Sequence, residues 1–469
     1  MERLSNIRQS LRQRVGDWIN SSKTNDFIKK DFFGDKAFHI PRDLQKYKML
    51  ELGSGTYGDV IRATSKDGKE DLVVKKMLVT LPKNEPELNV LRARRMYREV
   101  YFLQHLHHTH LVSTRRIYTH EKRLEDFNTI HVVMDYAGPS LDKLLYDRRK
   151  NKTPFSTRDA AKIIRHILQA ISCLHNHGIM HRDLKPDNIA VKLDHRGRVE
   201  CATLLDIGMA CNIEDENNKS LVVVSQSYRP PEVIFHEGQY GAPVDMWSLG
   251  CISYDLLSSN GKKLFNATSD SMLAKQIFQL CGPPNERFAK KISKTMLKAA
   301  KEYCRGTSNS MAHRFSEIDE SARDFLQRIL KVDPEERITV QDALEHSFLK
   351  SGKIDDVTTN LPAEKLLLRR MTEIPASKNA IWKELQSADQ ENQTTPPQNV
   401  NCETMSTDQD DDLQPLSRQV SVRLSRRGTC RRSNIYCRST TSTMADSGFN
   451  TSRKGTVDGH TTDDSYSIV

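Results

Sequence analysis

The sequence lacks the features that mark secreted, disulfide-stabilised or membrane-spanning proteins. No apolar run in its 469 residues approaches the roughly 18 residues that a membrane helix needs. The first residues, MERLSNIRQSLRQRVGDWIN, lack the apolar core and small-residue cleavage site of a signal peptide. None of the nine cysteines forms a C-x-x-C pair, which argues against a zinc site or a disulfide framework. We therefore expect a protein of the cytoplasm, the nucleus or both.

Positive charge is in excess, but the pattern typical of nucleic-acid binding is missing. The formal net charge is +10, and no stretch interleaves basic with aromatic residues. We therefore expect no nucleic-acid partner. The basic residues are better suited to acidic or phosphorylated protein partners.

Composition divides the chain into four parts. Residues 1–45 form a mixed, polar N-terminal extension, and residues 46–350 alternate strand-like and helix-like patterns with short turns. Residues 351–390 form a C-terminal extension. Residues 391–469 are rich in Ser, Thr, Gln, Asn and Asp, and they bury too little apolar surface to offset chain entropy. We expect this tail to be disordered.

Within the N-terminal extension, apolar residues recur at helical spacing among arginines: Leu4, Ile7, Leu11, Val15 and Trp18. The pattern predicts a basic amphipathic helix. Such a helix suits a membrane surface or a protein partner, and it equally suits packing on the main domain. The sequence leaves these alternatives open, so membrane contact stays unproven.

The first chemical signal is ELGSGTYGDVIRATSKDGKEDLVVKKML, residues 51–78. Gly53, Gly55 and Gly58 form G-x-G-x-x-G within a predicted hairpin, where backbone N–H groups can approach phosphates without side-chain obstruction. Lys75 lies on the next predicted strand, beneath this loop, where its ammonium suits phosphate oxygens. Taken alone the motif is weak, because an ordinary Gly-rich turn beside a surface lysine also explains it.

A second stretch, GIMHRDLKPDNIAV, makes the interpretation specific. His-Arg-Asp at 181–183 is followed by Lys185 and Asn188, then by Asp206 in an Asp-Ile-Gly sequence, and then by Pro-Pro-Glu at 230–232. Chance is a poor explanation for this spacing. Over residues 46 to about 350 the sequence resembles the eukaryotic protein kinases.

The resemblance implies an α+β, bilobal protein kinase fold. Its N-lobe would be rich in β-strands and cover about residues 46–136, and its helical C-lobe would cover about residues 137–350. The resemblance also implies the use of ATP and Mg²⁺ and the phosphorylation of protein hydroxyls. Since phosphoryl transfer depends mainly on positioning and charge stabilisation, the site needs cations and carboxylates on rigid supports.

The same resemblance gives each motif residue a role in transfer. Asp183 would accept or orient the proton of the substrate hydroxyl, and Lys185 would balance charge on the migrating phosphoryl group. Asn188 and Asp206 would hold Mg²⁺, a hard cation that prefers oxygen ligands. Glu232 would be a structural anchor, with Arg337 as its partner.

A further set of residues is implied in nucleotide binding. Lys75 would contact the α- and β-phosphates and pair with Glu99 in RRMYREVYFLQHL, a helix by its periodicity. Apolar residues would line the base, and residues 135–138 would form the hinge. The implied nucleotide-binding residues are Gly53, Ser54, Gly55, Thr56, Tyr57, Gly58, Val60, Val73, Lys75, Met134, Asp135, Ala137 and Ile189.

A narrower resemblance is carried by RLEDFNTIHVVMDYAGPSL, HRDLKPDNIAVKLD and VDMWSLGCISYDLL. These stretches are similar to the mitogen-activated protein kinases, and among them to the stress-activated group related to yeast osmosensing kinases. Residues about 260–310 match a helical insert of this family. Residues 351–390, with an Ile-Trp pair at 381–382, resemble the extension that packs back across both lobes. Asp355 and Asp356 fall where the family presents a docking site for basic peptides of activators and substrates, although a solvated loop also explains them.

The loop after the Asp-Ile-Gly sequence departs from that family. Members carry Thr-x-Tyr, whose phosphorylation orders the loop, but residues 220–222 are Ser-Leu-Val, so the tyrosine is absent. Arg95, Arg98 and Arg182 remain where they would clasp a loop phosphate. Phosphorylation of Ser220 would add about two negative charges for these arginines. An unmodified Ser220 is the alternative.

Other departures bear on control and catalysis. Cys211 replaces a further loop arginine, and Gln-Ser at 226–227 replaces Arg-Trp, which leaves proline-directed substrate choice open. Ile207, Val73 and Pro230 replace a phenylalanine and two alanines without removing a ligand or a charge. We therefore predict an active Ser/Thr kinase with atypical loop control. A kinase-like scaffold or weakly active pseudokinase, acting through docking and tail interactions, is the alternative.

The C-terminus carries one more partner motif. Ser467-Ile468-Val469 resembles a ligand for PDZ domains, which add a C-terminal peptide as a strand. Three residues carry little specificity, and coincidence explains them more readily. The expected partners are protein substrates and an upstream kinase or docking peptide, with the PDZ-type partner as a weaker hypothesis.

Overall fold

The computed structural model describes residues 27–34, 36–55, 58–79, 86–213, 225–235, 240–258, 263–305, 310–350 and 377–394. Several predicted features lie outside these ranges: the N-terminal amphipathic helix, Thr56, Tyr57, Ser220, Asp355, Asp356 and the tail from residue 395 onward. Their assignments stay predictions.

The N-terminal lobe is built on β-strands. These are β1 (Phe27–Phe32), β2 (Lys36–Pro41), β3 (Lys48–Gly55), β4 (Gly58–Thr64), β5 (Asp71–Leu78), β6 (Thr114–Tyr118) and β7 (Thr129–Asp135). Strands β3 to β7 form an antiparallel sheet in the order β3-β4-β5-β7-β6, and β1 pairs with β2 as a separate hairpin. Helix α1 (Pro86–His105) connects β5 to β6.

Side-chain alternation along β4 and β5 gives this sheet two different faces. Ile61, Leu72 and Val74 are buried in one apolar cluster. Because successive side chains of a strand point to opposite faces, Val73 and Lys75 lie on the other face. The sheet therefore presents a lysine among apolar residues toward the second lobe.

The β1–β2 hairpin is part of the N-lobe core. Phe38 and Ile40 of β2 are fully buried and cluster with Leu44, Tyr47 and the outer face of the sheet. In the sequence this stretch falls within a polar extension, because its alternation covers only two strongly apolar positions. The partner surface that buries them comes from strands much later in the chain.

The second lobe is mostly helical. Its helices are α2 (Leu141–Asn151), α3 (Thr157–Asn176), α4 (Pro231–Phe235), α5 (Pro243–Leu257), α6 (Asp270–Cys281), α7 (Glu286–Ala289), α8 (Lys294–Tyr303), α9 (Ser310–Arg314), α10 (Glu320–Ile329), α11 (Val340–Leu344) and α12 (Ser347–Lys350). Short strands β8 (Ile179–Met180), β9 (Ile189–Leu193), β10 (Val199–Leu204) and β11 (Cys211–Asn212) follow α3. The bilobal α+β architecture predicted from the sequence is confirmed.

Helix α5 lies at the centre of this lobe. Residues 244–256 are all buried, including the carboxylates of Asp245 and Asp255. A helix that is buried on every side belongs to the interior of a large domain. Its acidic side chains therefore need internal partners. Asp245 accepts backbone N–H groups of the His-Arg-Asp loop, and Asp255 accepts the hydroxyl of Tyr228.

The last described helix, α13 (Lys378–Thr394), packs on the N-lobe. Ile381 is fully buried, and the ring of Trp382 meets Phe127 edge-on at 5.1 Å between centroids. Tyr97 of α1 donates its hydroxyl to Glu384 Oε2 at 2.8 Å. The C-terminal extension thus contacts α1 directly. Among the described residues, no helix is both long enough and apolar enough to cross a membrane.

Candidate active site

The site begins with an ion pair between β5 and α1. Lys75 Nζ lies 2.6 Å from Glu99 Oε1 and 3.9 Å from Asp206 Oδ2, and all three side chains are largely buried. Burial disfavours the Lys75 ammonium, but the two carboxylates outweigh that penalty and raise its pKa. Lys75 is therefore held as a cation at the floor of the cleft.

The loop between β8 and β9 carries the His-Arg-Asp sequence, and a carboxylate of helix α5 holds its backbone in place. The buried Asp245 carboxylate accepts the backbone N–H groups of His181 and Arg182 at 2.8 Å, and His175 Nε2 lies 2.9 Å away. Burial would raise the pKa of Asp245, but the His175 hydrogen bond and neighbouring donors lower it. Arg182 has φ +67°, an unusual conformation for a non-glycine residue. The Asp245 contacts hold this strained turn.

Asp183 is the centre of a hydrogen-bond network. Its Oδ2 accepts from Lys185 Nζ at 2.8 Å and from Asn188 Nδ2 at 3.1 Å, and Asn188 also donates to the Asp183 carbonyl at 2.8 Å. Its Oδ1 accepts the hydroxyl of Ser225 at 3.2 Å. Sequence reasoning did not single out Ser225. Its only signal was its place before Gln-Ser in the altered loop.

Asp206 lies two residues after the end of β10, with its carboxylate near Lys75. Its Oδ1 accepts the backbone N–H of Gly208 at 2.8 Å. Burial raises the pKa of Asp206, but Lys75, the Gly208 N–H and Arg95 lower it below its ordinary value. A Cβ at Gly208 would lie 2.8 Å from Glu99 Oε2 and 3.0 Å from Asp206 Oδ1, so glycine lets the two carboxylates approach.

The glycine-rich loop spans the end of β3 and the start of β4, where Gly53, Ser54, Gly55 and Gly58 are described. Gly58 has φ +130°, and a Cβ there would lie 2.3 Å from the Lys76 carbonyl oxygen. The loop thus approaches β5 more closely than any other residue type would allow.

A contact from the β1–β2 hairpin reaches this loop. Lys36 Nζ donates to Ser54 Oγ and to Asp59 Oδ1, both at 2.7 Å, and Ser54 Oγ donates to the same Asp59 oxygen at 2.6 Å. Asp59 is nearly buried, whereas Lys36 is 43% exposed. Sequence reasoning missed Lys36, because nothing local connects it to a loop 18 residues away.

The residues predicted to line the base come from three strands. Val60 is paired with Lys75, and Val73 with Met134, while Ile189 is fully buried at the start of β9.

The hinge follows β7. Asp135 accepts a hydrogen bond from Arg115 Nε at 2.6 Å, and Ala137 precedes Gly138, which has φ +110°. A Cβ at Gly138 would lie 2.5 Å from the Val191 carbonyl oxygen. The chain between the lobes therefore lies directly on β9.

The regulatory arginines contact the loop backbone just beyond Gly208. Arg98 Nη1 donates to the Ala210 carbonyl at 3.4 Å, and Arg182 Nε donates to the Met209 carbonyl at 2.8 Å. Arg182 also donates to the Tyr240 hydroxyl at 3.1 Å. Within the described residues, these two arginines therefore stabilise the start of the loop directly.

A separate thiol–imidazole cluster comprises His110, His166 and Cys201, whose donor atoms lie within 4.8 Å of one another. His110 Nδ1 bonds the Ala202 carbonyl, whereas His166 Nδ1 accepts the Ala202 N–H at 3.1 Å. A neutral His166 then carries its proton on Nε2, and the two rings are stacked at 3.9 Å. This arrangement is suited to packing, since a shared metal would need the ring planes to converge on it.

Comparison with known proteins decides the family. The protein kinase domain matches residues 47–349. The chain belongs to the protein kinase family. It is 31% identical to mitogen-activated protein kinase pmk-3 of Caenorhabditis elegans over 74% of each chain. It is 30% identical to mitogen-activated protein kinase 13 of Mus musculus, covering 78% of this chain and 94% of the relative.

A further relative, mitogen-activated protein kinase pmk-1 of Caenorhabditis elegans, is 30% identical over 72% of this chain and 85% of the relative. These matches extend the assignment from the broad kinase family to the mitogen-activated group. The protein is a Ser/Thr protein kinase of this group, as its motifs predicted.

Proposed function

We propose that this kinase transfers the γ-phosphate of ATP to Ser or Thr hydroxyls of protein substrates in stress signalling, in the cytoplasm or nucleus. The observation that carries this proposal is the convergence of Lys75, Asp183, Asn188 and Asp206 on one cleft. These residues come from three separate parts of the chain, at position 75, at 183–188 and at 206, and their meeting provides charge and ligands for phosphoryl transfer.

Asn188 and Asp206 fit a magnesium ion. The Asn188 amide nitrogen is committed to Asp183, so its amide oxygen is the atom suited to a cation. Asp206 has a lowered pKa and offers an ionised carboxylate, whose Oδ1 is oriented by the Gly208 N–H. A bound Mg²⁺ would neutralise phosphate charge, and these oxygens match its preference for hard ligands.

The N-lobe residues suit a nucleotide. Gly53 and Ser54 of the glycine-rich loop are exposed and can offer backbone N–H groups to phosphates, and Lys75 on β5, held by Glu99, supplies a cation. Val60 and Val73 are partly exposed and offer an apolar surface for a purine, whereas Ile189 is fully buried in this structure. Val73 stands where the resembled kinases have alanine, so its larger side chain narrows the space for the purine without removing a polar contact.

Asp183 is suited to orient the acceptor hydroxyl. Its two carboxylate oxygens are held by different partners, Ser225 on Oδ1 and Lys185 on Oδ2. A carboxylate fixed in this way can accept a proton or a hydrogen bond from an incoming hydroxyl. Lys185 then lies where positive charge would balance the transferred phosphoryl group.

Loop control is proposed to differ from that of kinases with Thr-x-Tyr. A phosphate on Ser220 would be attracted to Arg95, Arg98 and Arg182, two of which bind the start of the same loop. Replacing Ser220 with alanine tests this step. Loss of activation after stress supports the switch, and unchanged activity contradicts it.

The decisive experiment is a kinase assay on the purified full chain with Mg²⁺, labelled ATP and a generic basic protein substrate. Wild type should transfer phosphate, and Asp183→Asn should reduce kcat by about 10²–10⁴-fold. Magnesium-dependent ATP binding, read as a rise in melting temperature, should persist in Asp183→Asn. Equal phosphate transfer by wild type and Asp183→Asn would contradict the role assigned to Asp183, whereas magnesium-dependent ATP binding without transfer by either protein would favour the scaffold alternative.

A further inference from the structure

The segment from Ser225 to Arg229, called the 225–229 segment below, joins the catalytic Asp183 to helix α6. Its central turn is a 3₁₀ helix, Gln226–Tyr228. Tyr228 is 3% exposed, and its hydroxyl donates to the buried Asp255 at 3.0 Å.

A further contact fixes the backbone of this turn. Ser248 of α5 donates its hydroxyl to the Tyr228 carbonyl at 2.9 Å. The middle of the segment is therefore fixed on α5 by a buried side chain and by its own backbone.

Two side chains of the segment meet the first turn of α6. With its amide oriented to satisfy both partners, the Gln226 oxygen accepts the backbone N–H groups of Ser269 and Asp270 at 3.1 and 3.2 Å. Arg229 Nη1 donates to Asp270 Oδ1 at 2.7 Å. Because the first N–H groups of a helix lack intrahelical partners, the Gln226 oxygen satisfies donors that would otherwise need water.

The catalytic end of the segment is held as well. Ser225 donates to Asp183 Oδ1 at 3.2 Å. The segment therefore reaches from the α6 N-terminus to the carboxylate proposed to orient the acceptor hydroxyl. Because Ser225 and Gln226 are adjacent, the contact of Gln226 with α6 restrains the residue that binds Asp183.

None of these contacts involves a phosphorylated residue. In the kinases that the sequence resembles, phosphorylation of Thr-x-Tyr orders this loop, but Val222 cannot carry a phosphate. An acidic partner of Arg229 is the genetically encoded carboxylate of Asp270. Gln226, where those kinases have arginine, is neutral and binds main-chain donors of α6 instead of an anion.

We propose that Asp270 and Gln226 are positioning residues that hold the 225–229 segment ready for protein substrates without phosphorylation of the preceding loop. This inference rests on the proposed function and concerns the regulation of the same site. In this proposal, contacts with α6 order the 225–229 segment, as the phosphotyrosine does in kinases that carry Thr-x-Tyr. Phosphorylation of Ser220 can still act on the start of the loop, which contacts a different set of arginines.

The experiment uses full-length protein treated with phosphatase and checked by mass spectrometry. Dephosphorylated wild type should keep its kcat/KM for myelin basic protein within about threefold of the untreated protein. Asp270→Ala and Gln226→Ala should each raise KM for that substrate about 5–20-fold and leave KM for ATP unchanged. Asp270→Glu should restore most of the loss, and Asp147→Asn, in an exposed ion pair of α2, should match wild type.

Hydrogen exchange separates failure of this inference from failure of the catalytic proposal, because it needs no activity. In the dephosphorylated chain, amides of residues 225–229 should exchange about tenfold faster in Asp270→Ala than in wild type or Asp270→Glu. Equal exchange in all three proteins overturns the inference. The inference is also overturned if wild type transfers phosphate before phosphatase treatment and loses more than 90% of that activity after the treatment. Absence of transfer by every form overturns the catalytic proposal only.

Discussion

Lys75 Nζ and Glu99 Oε1 are 2.6 Å apart, and this pair joins the N-lobe sheet to helix α1. Since the same ammonium is 3.9 Å from Asp206, the position of α1 determines the charge that faces the proposed metal ligand. Helix α13 packs on α1, so the C-terminal extension contacts the element on which the pair depends.

Glu99→Gln should therefore impair catalysis more than folding. The amide keeps the side-chain shape but removes the charge that orients Lys75, and kcat/KM should fall about 10–100-fold. Steady-state kinetics with varied ATP measures this loss. Glu384→Gln, which alters the Tyr97 contact on α13, is the control and should stay within about twofold of wild type.

Lys36→Met should loosen the glycine-rich loop. It removes the ammonium shared by Ser54 and Asp59, so KM for ATP should rise about 2–5-fold with kcat nearly unchanged, a small effect because Lys36 is partly exposed. Lys36→Arg should largely restore binding. In a double-mutant cycle with Asp59→Asn, additive effects on KM would show that the contact does not matter.

Glu232→Gln should destabilise the C-lobe. Arg337 binds Glu232 through two hydrogen bonds of 2.5 and 2.6 Å, and both side chains are almost fully buried, a pairing predicted from the sequence. Loss of the charge leaves the guanidinium uncompensated and should lower the free energy of unfolding by about 3–5 kcal/mol. Denaturant unfolding measures this loss.

The matched control for that prediction is Glu200→Gln. It removes an exposed ion pair with Lys192, and its effect on unfolding should stay below about 1 kcal/mol. Equal effects of the two substitutions would show that burial does not determine the strength of these pairs.

Asp255 should give the stability a pH dependence. Burial raises its pKa to about 6, so the folded protein holds a proton there that the unfolded chain releases at lower pH. Stability from this group is present in acid and is lost as the pH rises through about 6.

The variant Asp255→Asn cannot release that proton. Its free energy of unfolding relative to wild type should therefore increase by about 1.4 kcal/mol between pH 5 and 7. Urea titrations at several pH values measure the difference. A constant difference across this range would mean that Asp255 does not change its charge there.

Short-range pattern predicted much of this protein. The strands around the glycine-rich loop and Lys75 and the helix in RRMYREVYFLQHL follow from alternation and helical periodicity, and the structure has them. The motif spacing predicted the kinase fold, because a phosphate-binding hairpin and a loop with Asp and Asn each leave a local signature. The partner of Glu232 was also predicted by resemblance.

Several contacts between distant segments were not predicted. The β1–β2 hairpin, the Lys36 contact with the glycine-rich loop and the Gln226 contact with α6 each depend on surfaces supplied by other parts of the chain. Ser225 is a similar case, since a serine in a loop gives no local sign that it meets Asp183.

The sequence by itself therefore determined the two-lobed fold and predicted the candidate reacting groups, because glycines, charged residues and apolar periodicity act locally and through recurring motifs. Only the tertiary structure decided what orients those groups. Hydrogen bonds and ion pairs such as Arg229–Asp270 need side chains within a few ångströms, and that distance is set by how whole helices and strands pack rather than by neighbouring residues.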